Sequence, residues 1–303
     1  MVKEFSQIDW DERLIDDCRQ IVRLAVREDL DRFCDWTTLA LAPADQRGQT
    51  AVMARRDGTI AGLKAAEVAL DEMEIKAAWK PAARDGQPVV AGECVAEIEA
   101  PIRDLLISER ILLNLIGRLS GIATLTRQYV DAVQGTGARI YDTRKTTPGW
   151  RRLEKYAVRC GGGRNHRTGL FDAVLIKDNH LALAACSPED AVQRARQFLH
   201  EMMPSGPRAG QMIVEVEVDR LEQLDDVLPH GPDIVLLDNM SPDQLRDAVS
   251  RRGAANPAVE LEASGGVTLQ TVRAIAETGV DRISVGALTH SAVSLDVGLD
   301  WRQ

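Results

Sequence analysis

The sequence predicts an α/β protein in which an α+β domain precedes a parallel sheet that closes into a barrel-like form. Three patterns support this prediction. Strand signals and a helix signal mix in the first 115 residues, a long apolar helix pattern spans 103–133, and strand, loop and helix patterns repeat after residue 136. Repeated β and α units are typical of parallel strands joined by helices, so the second half contains the parallel sheet.

Composition and charge exclude several classes of protein. The chain has 303 residues, 45% of them hydrophobic, and a net charge of -9. This acidity argues against a broad nucleic-acid-binding face, which requires a basic stripe. No apolar run reaches the length of a membrane span, and the five cysteines form no C-x-x-C pair that would indicate zinc or a disulfide framework. We therefore expect a cytoplasmic protein that binds neither nucleic acid nor membranes.

The first domain is predicted from a helix, a turn and alternating strands. The first helix is predicted to begin at Asp9, with Glu12 placed for a capping box. Strands are predicted from 48 to 60 around the turn at 56–58, followed by a helix at 63–73 and a further strand at 94–99.

The helix pattern at 103–133 is apolar on nearly all sides, which predicts burial within the chain or against a partner. Arg110, Asn114 and Arg118 recur at four-residue spacing and therefore share one polar face. One interpretation is a buried structural ion pair, with Glu109 as a candidate partner. The other is that Arg110 reaches a functional site.

The second half contains six clear strand signals. Prolines after Thr147, Ser187 and Ser241 indicate the first turns of three helices that follow strands or loops. The predicted strands are 138–143, 173–177, 212–218, 233–238, 258–263 and 281–286.

Chemistry-bearing residues are concentrated where these strands end. In parallel barrels, catalytic groups lie at the carboxyl ends of the strands. Within an acidic protein, the stretch 143–180 is locally cationic, which predicts an anionic ligand. Its cationic candidates are Arg144, Lys145, His166, Arg167 and Lys177. The other strand-end candidates are Thr143, Glu217, Asp238, Ser264, Gly265, Gly266, Val285, Gly286 and Ala287.

Strand parity predicts an acidic barrel interior. Glu215 and Glu217 share one face of their strand, and Glu260 and Glu262 share one face of theirs. Buried carboxylates need cations or metal. Glu217 and Asp238 are the natural pair for a Mg²⁺ ion that also binds a substrate phosphate, and inward salt bridges are the alternative.

Two glycine-containing turns follow late strands, at 264–266 and 285–287. Backbone amides at such turns bind phosphate in many barrels, which predicts a phosphate site there. Ordinary loop geometry explains glycine turns equally well.

Several segments of the sequence resemble a known protein family. The stretch 143–180 is similar to the signature of the quinolinate phosphoribosyltransferases, also called carboxylating nicotinate-nucleotide pyrophosphorylases. Further similar segments follow in family order, and the departures are DRFCDWTT at 31–38, which lacks the usual glycines, and Trp150, where leucine is more usual. The similar segments are SERILLN (108–114), VEVEV (214–218), LLDNM (236–240), ASGGV (263–267) and SVGALTHS (284–291).

The resemblance implies an N-terminal α+β sandwich domain at 1–115, joined by the chain end at about 292–303, and an incomplete six- or seven-stranded α/β barrel at 116–291. It implies a homodimer. It also implies a glycosyltransferase of NAD biosynthesis, which converts quinolinate and 5-phosphoribosyl-1-pyrophosphate to nicotinate mononucleotide, pyrophosphate and CO₂ with Mg²⁺.

The resemblance also assigns roles to residues. Arg144, His166, Arg167 and Lys177 would surround the quinolinate carboxylates, together with Arg110 of the partner subunit. Glu217 and Asp238 would meet the ribose hydroxyls and the metal, and Lys145 the pyrophosphate region. The turns at 264–266 and 285–287 would hold the 5′-phosphate near His290. The residues expected to be catalytic are Lys145, Lys177, Glu217 and Asp238.

Two other functions fit part of these observations. One is a relative of the same fold that acts on another pyridine or base, including the relative linked to molybdate transport. The other is a sensor that binds phosphoribosyl pyrophosphate without turnover. Quinolinate-dependent release of CO₂ distinguishes both from the transferase.

Overall fold

The computed structural model describes residues 3–203 and 210–302. Its residues form two compact units. The N-terminal unit contains Ile8–Arg127, Lys145–Gly163 and Leu288–Gln303, and the parallel-sheet unit contains Met1–Gln7, Gln128–Arg144 and Arg164–Ala287. The domain bounds expected from the sequence stay a prediction, and Met1, Val2 and Gln303 at their ends lie outside the described residues.

Helices and strands follow the order that the sequence patterns indicate. The helices are α1 (Glu12–Leu30), α2 (Trp36–Leu41), α3 (Leu63–Glu72), α4 (Ile102–Ala132), α5 (Arg151–Cys160), α6 (Asp178–Ala184), α7 (Pro188–Met202), α8 (Leu221–Val227), α9 (Pro242–Ala255), α10 (Val272–Ala276) and α11 (Ala287–His290), with a 3-10 turn at Leu228–His230. The strands are β1 (Arg47–Ala54), β2 (Gly58–Thr59), β3 (Ala78–Pro81), β4 (Pro88–Val89), β5 (Cys94–Pro101), β6 (Arg139–Tyr141), β7 (Ala173–Ile176), β8 (Ile213–Val218), β9 (Ile234–Asp238), β10 (Glu260–Ser264), β11 (Arg282–Ser284) and β12 (Val297–Trp301).

An antiparallel sheet of order β12-β1-β5-β3 forms the centre of the N-terminal unit. The last strand of the chain, β12, pairs with β1, so that Thr50 lies opposite both Trp301 and Ile98. Just before β12, the backbone N–H of Leu295 donates to the carbonyl of Gly117 in α4. The chain end is therefore held by a strand and by a helix of the same unit.

A six-stranded parallel sheet of order β6-β11-β10-β9-β8-β7 forms the second unit, and all six strand predictions are confirmed. Among the described residues, the edge strands β6 and β7 do not pair with each other, so the barrel is incomplete as predicted. Phe5 packs in one buried cluster with apolar residues from four strands: Tyr141, Ala173, Ile213 and Ile234.

The segment 164–167 lies between the two edge strands. Arg164 forms a parallel bridge with Tyr141 of β6, and its backbone N–H donates to the carbonyl of Ile140. At the other end, the Arg167 guanidinium donates to the carbonyl of Ala173 at the start of β7, at 3.3 Å. The segment therefore occupies the gap that the missing strands leave.

Two predicted helix starts are wrong. The first helix begins at Glu12 rather than near Asp9, because the Asp11 carboxylate accepts the Leu14 backbone N–H and acts as the N-cap. The helix predicted at Thr147-Pro148 begins at Arg151, since the Thr147 N–H and hydroxyl donate to Glu154 instead. Within the described ranges, none of the helices combines the length and apolar character that crossing a bilayer requires.

Gly121 provides a test of how closely the chain end packs on α4. A Cβ at Gly121 would lie 2.1 Å from the carbonyl oxygen of Val293, a contact that only backbone movement can relieve. We expect Gly121→Ala to destabilise the protein by about 1–3 kcal/mol, the usual cost of overpacking, and thermal unfolding measures the change.

Gly253→Ala is the matched control, because Gly253 is also helical but a Cβ there has no neighbour within 4 Å. This substitution should raise stability by about 0.5–1 kcal/mol, the gain in helix propensity. Equal effects at both sites would contradict the close packing at Gly121.

Candidate active site

Four strand ends of the parallel sheet bring predicted site residues together. Lys177 follows β7, Glu217 lies near the end of β8, and Asp238 and Ser264 end β9 and β10. Ser264 pairs directly with Asp238 in the parallel register. The Lys177 ammonium forms an ion pair with the Glu217 carboxylate, and both side chains are partly accessible. The prediction that the strand ends share one charged edge is thus confirmed for these residues.

The turn after β10 depends on glycine. Gly265 has a φ of 92°, and a Cβ there would lie 2.2 Å from Oδ1 of Asn239. Asn239 itself has a φ of 55°, donates its backbone N–H to Ser264, and donates from Nδ2 to Asp238 at 2.7 Å. The absence of a side chain at Gly265 therefore lets the turns after β9 and β10 approach each other.

Two arginines lie close together near the edge strands. Arg144 follows β6, and Arg167 is 7% exposed. Burial lowers the pKa of the Arg167 guanidinium, and the positive charge of Arg144 lowers it further. The Arg167 guanidinium stays protonated at neutral pH, because the pKa of free arginine lies so high. Adjacent guanidinium groups repel each other, and a bound carboxylate relieves that repulsion.

His166 points into the sheet interior between two acidic strands. Its Nε2 lies 2.9 Å from Oε2 of Glu215 and 3.6 Å from Oε1 of Glu262, and both carboxylates are fully buried. Its Nδ1 accepts the backbone N–H of Arg167 at 2.8 Å. Parity correctly predicted that these acids face inward, but a histidine partner was not expected.

Burial and like charge act together on the acidic pair. The pKa of Glu262 is raised to about 7, because burial and then the negative charge of Glu215 raise it more than His166 lowers it. Among the described residues, the only group of three potential metal ligands is His166, Glu215 and Glu262. Glu217 and Asp238, the predicted Mg²⁺ ligands, are not members of this group.

Deeper in the sheet, Glu260 forms ion pairs with Arg139 and Arg282, and Arg282 is fully buried. Glu4 pairs with Arg282 at 3.2 Å and accepts from the Tyr141 hydroxyl at 2.7 Å. Inward salt bridges, the alternative considered for the acidic strands, are therefore present at Glu260. The sequence patterns did not indicate either arginine, although each is the first residue of a strand in the parallel sheet.

The polar face of α4 separates into a structural part and an exposed part. Arg118 pairs at 2.6 Å with Glu154, which is fully buried, so its partner is not Glu109. Arg110 is exposed, and within the described ranges it makes no hydrogen bond or ion pair. It lines a cavity of about 490 Å³ that also includes Asn114, Arg118 and Trp150.

Other predicted site residues occupy separate positions. Lys145 is exposed, and its carbonyl accepts from the Thr289 hydroxyl at 2.8 Å. His290 is exposed, with Nδ1 2.7 Å from the Ser291 hydroxyl. Lys145, His290 and Arg110 belong to the N-terminal unit. Thr143, Val285, Gly286 and Ala287 belong to the parallel-sheet unit, where the Val285 N–H donates to the carbonyl of Tyr141.

The chain is similar to known proteins over most of its length. The family models for the N-terminal and C-terminal domains of quinolinate phosphoribosyl transferase match residues 35–120 and 122–300. The carboxylating nicotinate-nucleotide pyrophosphorylase of Mycobacterium leprae is 46% identical over 94% of this chain and 97% of its own length. A probable enzyme of the same name from Bacillus subtilis is 44% identical over 84% of each chain. The nicotinate-nucleotide pyrophosphorylase structure from Francisella tularensis has a TM-score of 0.87 at 34% identity and covers 99% of this chain and 100% of its own.

The pKa of Glu262 gives a prediction about stability and pH. Because folding raises this pKa from 4.5 to about 7, the native state holds a proton that the unfolded chain releases. The resulting stability is fully present below pH 4.5 and is lost as the pH rises through 7. Glu262→Gln cannot lose that proton, so its stability relative to the unsubstituted chain should rise between pH 5 and 8, by roughly 3 kcal/mol at most.

Urea unfolding at several pH values measures this difference. The control is Glu222→Gln, which changes an exposed carboxylate in the first turn of α8. If the stability difference caused by Glu262→Gln changes with pH as little as the difference caused by Glu222→Gln, Glu262 titrates normally.

Proposed function

Because the chain belongs to the quinolinate phosphoribosyl transferase family, we propose that it transfers phosphoribosyl from 5-phosphoribosyl-1-pyrophosphate to quinolinate with loss of CO₂. The products are nicotinate mononucleotide, pyrophosphate and CO₂, and the reaction belongs to NAD biosynthesis. The observation that carries the assignment to this site is the charged edge where Lys177 and Glu217 form an ion pair beside Asp238 and the Ser264 turn.

The bond changes define what the site must stabilise. The pyridine nitrogen bonds to the anomeric carbon of ribose as pyrophosphate leaves with the bonding electron pair. The ring nitrogen is then cationic, so it can stabilise the electrons left on the adjacent carbon when CO₂ departs, and a proton then replaces the carboxyl group. Positive charge on the ribose and negative charge on pyrophosphate both develop in the first step, which fixed carboxylates and cations stabilise.

Quinolinate binds at the cationic part of the parallel-sheet unit. Arg144 and Arg167 repel each other in the free protein, and a dicarboxylate placed against them offsets this repulsion. Lys177 meets the ligand by exchanging part of its contact with Glu217. Thr143 and His166 adjoin this group in sequence, and Lys145 serves the pyrophosphate region.

Mg²⁺ accompanies the pyrophosphate substrate. Glu217 and Asp238 would hold this ion, because they lie at the ends of adjacent strands. Mg²⁺ binds few protein carboxylates and prefers to share its remaining positions with phosphate oxygens and water, so a pair of acids suits it better than a closed cage. When bound, the ion offsets the negative charge of the leaving group.

The 5′-phosphate binds the turns after the last two strands. The residues are Ser264, Gly265 and Gly266 after β10, and Val285, Gly286 and Ala287 after β11, with His290 further along the chain. Gly265 and Gly266 are exposed and have positive φ, so their backbone is accessible to a ligand. Backbone amides in such turns suit a phosphate dianion.

The active form is a homodimer in the cytoplasm. Arg110 supports the dimer, because this exposed arginine lies on a largely buried helix and borders a cavity. Among the residues that the structure describes, no acid pairs with this exposed guanidinium, so it is available to a ligand bound by the partner subunit.

Lys177→Ala tests the reaction and the site together. With carboxyl-labelled quinolinate, phosphoribosyl pyrophosphate and Mg²⁺, the unsubstituted chain should release labelled CO₂. Loss of Lys177 should lower kcat/KM by at least about 100-fold, the usual effect of removing one preorganised contact that stabilises the transition state. Lys80→Ala, at an exposed position of β3, should leave turnover unchanged. Phosphoribosyl pyrophosphate binding without CO₂ release would instead indicate a sensor.

Mixing two inactive variants tests the shared site. Arg110→Ala and Lys177→Ala remove groups from different subunits of one site, so hybrid dimers should contain one intact site and recover up to about a quarter of normal activity under random mixing. Native mass spectrometry establishes that hybrids form. Hybrids without activity would mean that Arg110 serves its own subunit or is structural.

A further inference from the structure

Two segments that carry predicted site residues, 145–147 and 289–292, are joined within the N-terminal unit. The first contains Lys145, and the second contains His290. The Thr289 hydroxyl donates to the carbonyl of Lys145 at 2.8 Å, and Thr289 is fully buried. Because His290 directly follows Thr289, this hydrogen bond links the backbone that carries Lys145 to the backbone that carries His290.

The Arg118 guanidinium holds the segment 289–292 at both of its ends. Its Nη1 donates to the carbonyl of Ala292 at 2.9 Å, and its Nη2 donates to the carbonyl of Thr289. These two residues lie on either side of His290 in the chain. A guanidinium carries its N–H donors in a fixed planar arrangement, so the two carbonyls have defined positions relative to α4, the helix that contains Arg118.

The Glu154 carboxylate pairs with Arg118 and holds the segment 145–147. It is fully buried, and its Oε1 accepts from Nη2 of Arg118 at 2.6 Å. The same oxygen accepts the Thr147 hydroxyl at 2.9 Å, and Oε2 accepts the Thr147 backbone N–H at 3.1 Å. One ion pair therefore fixes the backbone just beyond Lys145 as well as the backbone on both sides of His290.

We propose that Arg118, Glu154 and Thr289 are positioning residues for phosphoribosyl pyrophosphate, which hold both segments in the geometry that binds its phosphate groups. Each of the three acts through the backbone of another residue rather than by touching the substrate. This inference rests on the proposed function, in which Lys145 serves the pyrophosphate region and His290 lies near the 5′-phosphate.

Stability alone does not explain this ion pair. Taking a carboxylate and a guanidinium out of water is costly, and apolar residues of similar volume often stabilise a fold equally well. Apolar residues cannot, however, donate to the carbonyls of Thr289 and Ala292. The placement of substrate-binding groups matters steeply, because a displacement of about 1 Å can lower a rate by about 100-fold. Alignment of the two segments is therefore the role that distinguishes the charged pair from an apolar one.

Substitutions at Thr289 test the link between the two segments. Thr289→Val keeps the shape of the side chain but removes the hydroxyl that donates to Lys145. It should raise the KM for phosphoribosyl pyrophosphate about fivefold, the equivalent of one lost hydrogen bond, and change the KM for quinolinate less than about twofold. Thr289→Ser keeps the hydroxyl and should restore the first KM to within about twofold of normal. A structural defect alone would not affect one substrate selectively.

Removing both charges separates alignment from stability. Arg118→Met alone leaves a buried carboxylate without its cation, which strongly destabilises a fold. Arg118→Met combined with Glu154→Gln removes both charges and avoids that cost, while the carbonyls of Thr289 and Ala292 lose the guanidinium as donor. The double variant should fold and should raise the KM for phosphoribosyl pyrophosphate about tenfold or more, with the quinolinate KM within about twofold of normal. Thr289→Val keeps the inference testable if the double variant does not fold.

Thr278→Val is the matched control, because it also removes a buried threonine hydroxyl. This hydroxyl donates to the carbonyl of Ile275 at 2.7 Å and belongs to the parallel-sheet unit. The substitution should lower the melting temperature as Thr289→Val does, but it should leave the ratio of the two KM values unchanged.

Three results would overturn the inference. They are an unchanged KM for phosphoribosyl pyrophosphate in Thr289→Val, an equal rise of both KM values in the double variant, and a selective rise in Thr278→Val. Failure of the proposed function is distinct from these results, since the unsubstituted chain would then release no CO₂ from quinolinate.

Discussion

The gap between strands β6 and β7 is the constraint on which the rest of the parallel-sheet unit depends. An edge strand with free backbone groups facing a buried interior is unstable, because unpaired buried N–H and C=O groups cost free energy. The chain supplies those partners with 164–167, a segment that pairs with Tyr141 on one side and contacts Ala173 on the other. The Asp142 carboxylate accepts two hydrogen bonds from this segment, one from the Asn165 side-chain amide and one from the His166 backbone N–H.

Closing the gap with an irregular segment has a chemical consequence. A regular strand would alternate its side chains between the interior and the helices. Here, consecutive residues instead place His166 beside two buried acids and Arg167 near Arg144. The same four residues therefore complete the sheet and place a cation beside Arg144. Substitutions within them are expected to change stability and substrate binding together.

Buried charge is arranged in two layers within this unit. The deeper layer joins Glu260 to Arg139 and Arg282, with Glu4 from the start of the chain, and every acid there faces a guanidinium. The upper layer joins His166, Glu215 and Glu262, where two acids share a histidine and the pKa of Glu262 is raised. Breaking a pair in the deeper layer would leave an uncompensated buried charge, which is costly. The upper layer can adjust by binding a proton.

The sequence by itself determined the order of elements, all six parallel strands, the inward direction of the acids and the strand-end positions of Lys177, Glu217, Asp238 and Ser264. These follow from periodicity and parity, which are local properties of the chain. Only the tertiary structure decided which acids meet which cations: Glu154 for Arg118, Arg139 and Arg282 for Glu260, and His166 for Glu215 and Glu262. It also decided where α1 and α5 begin. The Asp11 carboxylate accepts the Leu14 backbone N–H, and the Glu154 carboxylate accepts the Thr147 backbone N–H. These acid–cation pairs join residues 22 to 121 positions apart, a distance over which no local pattern carries information.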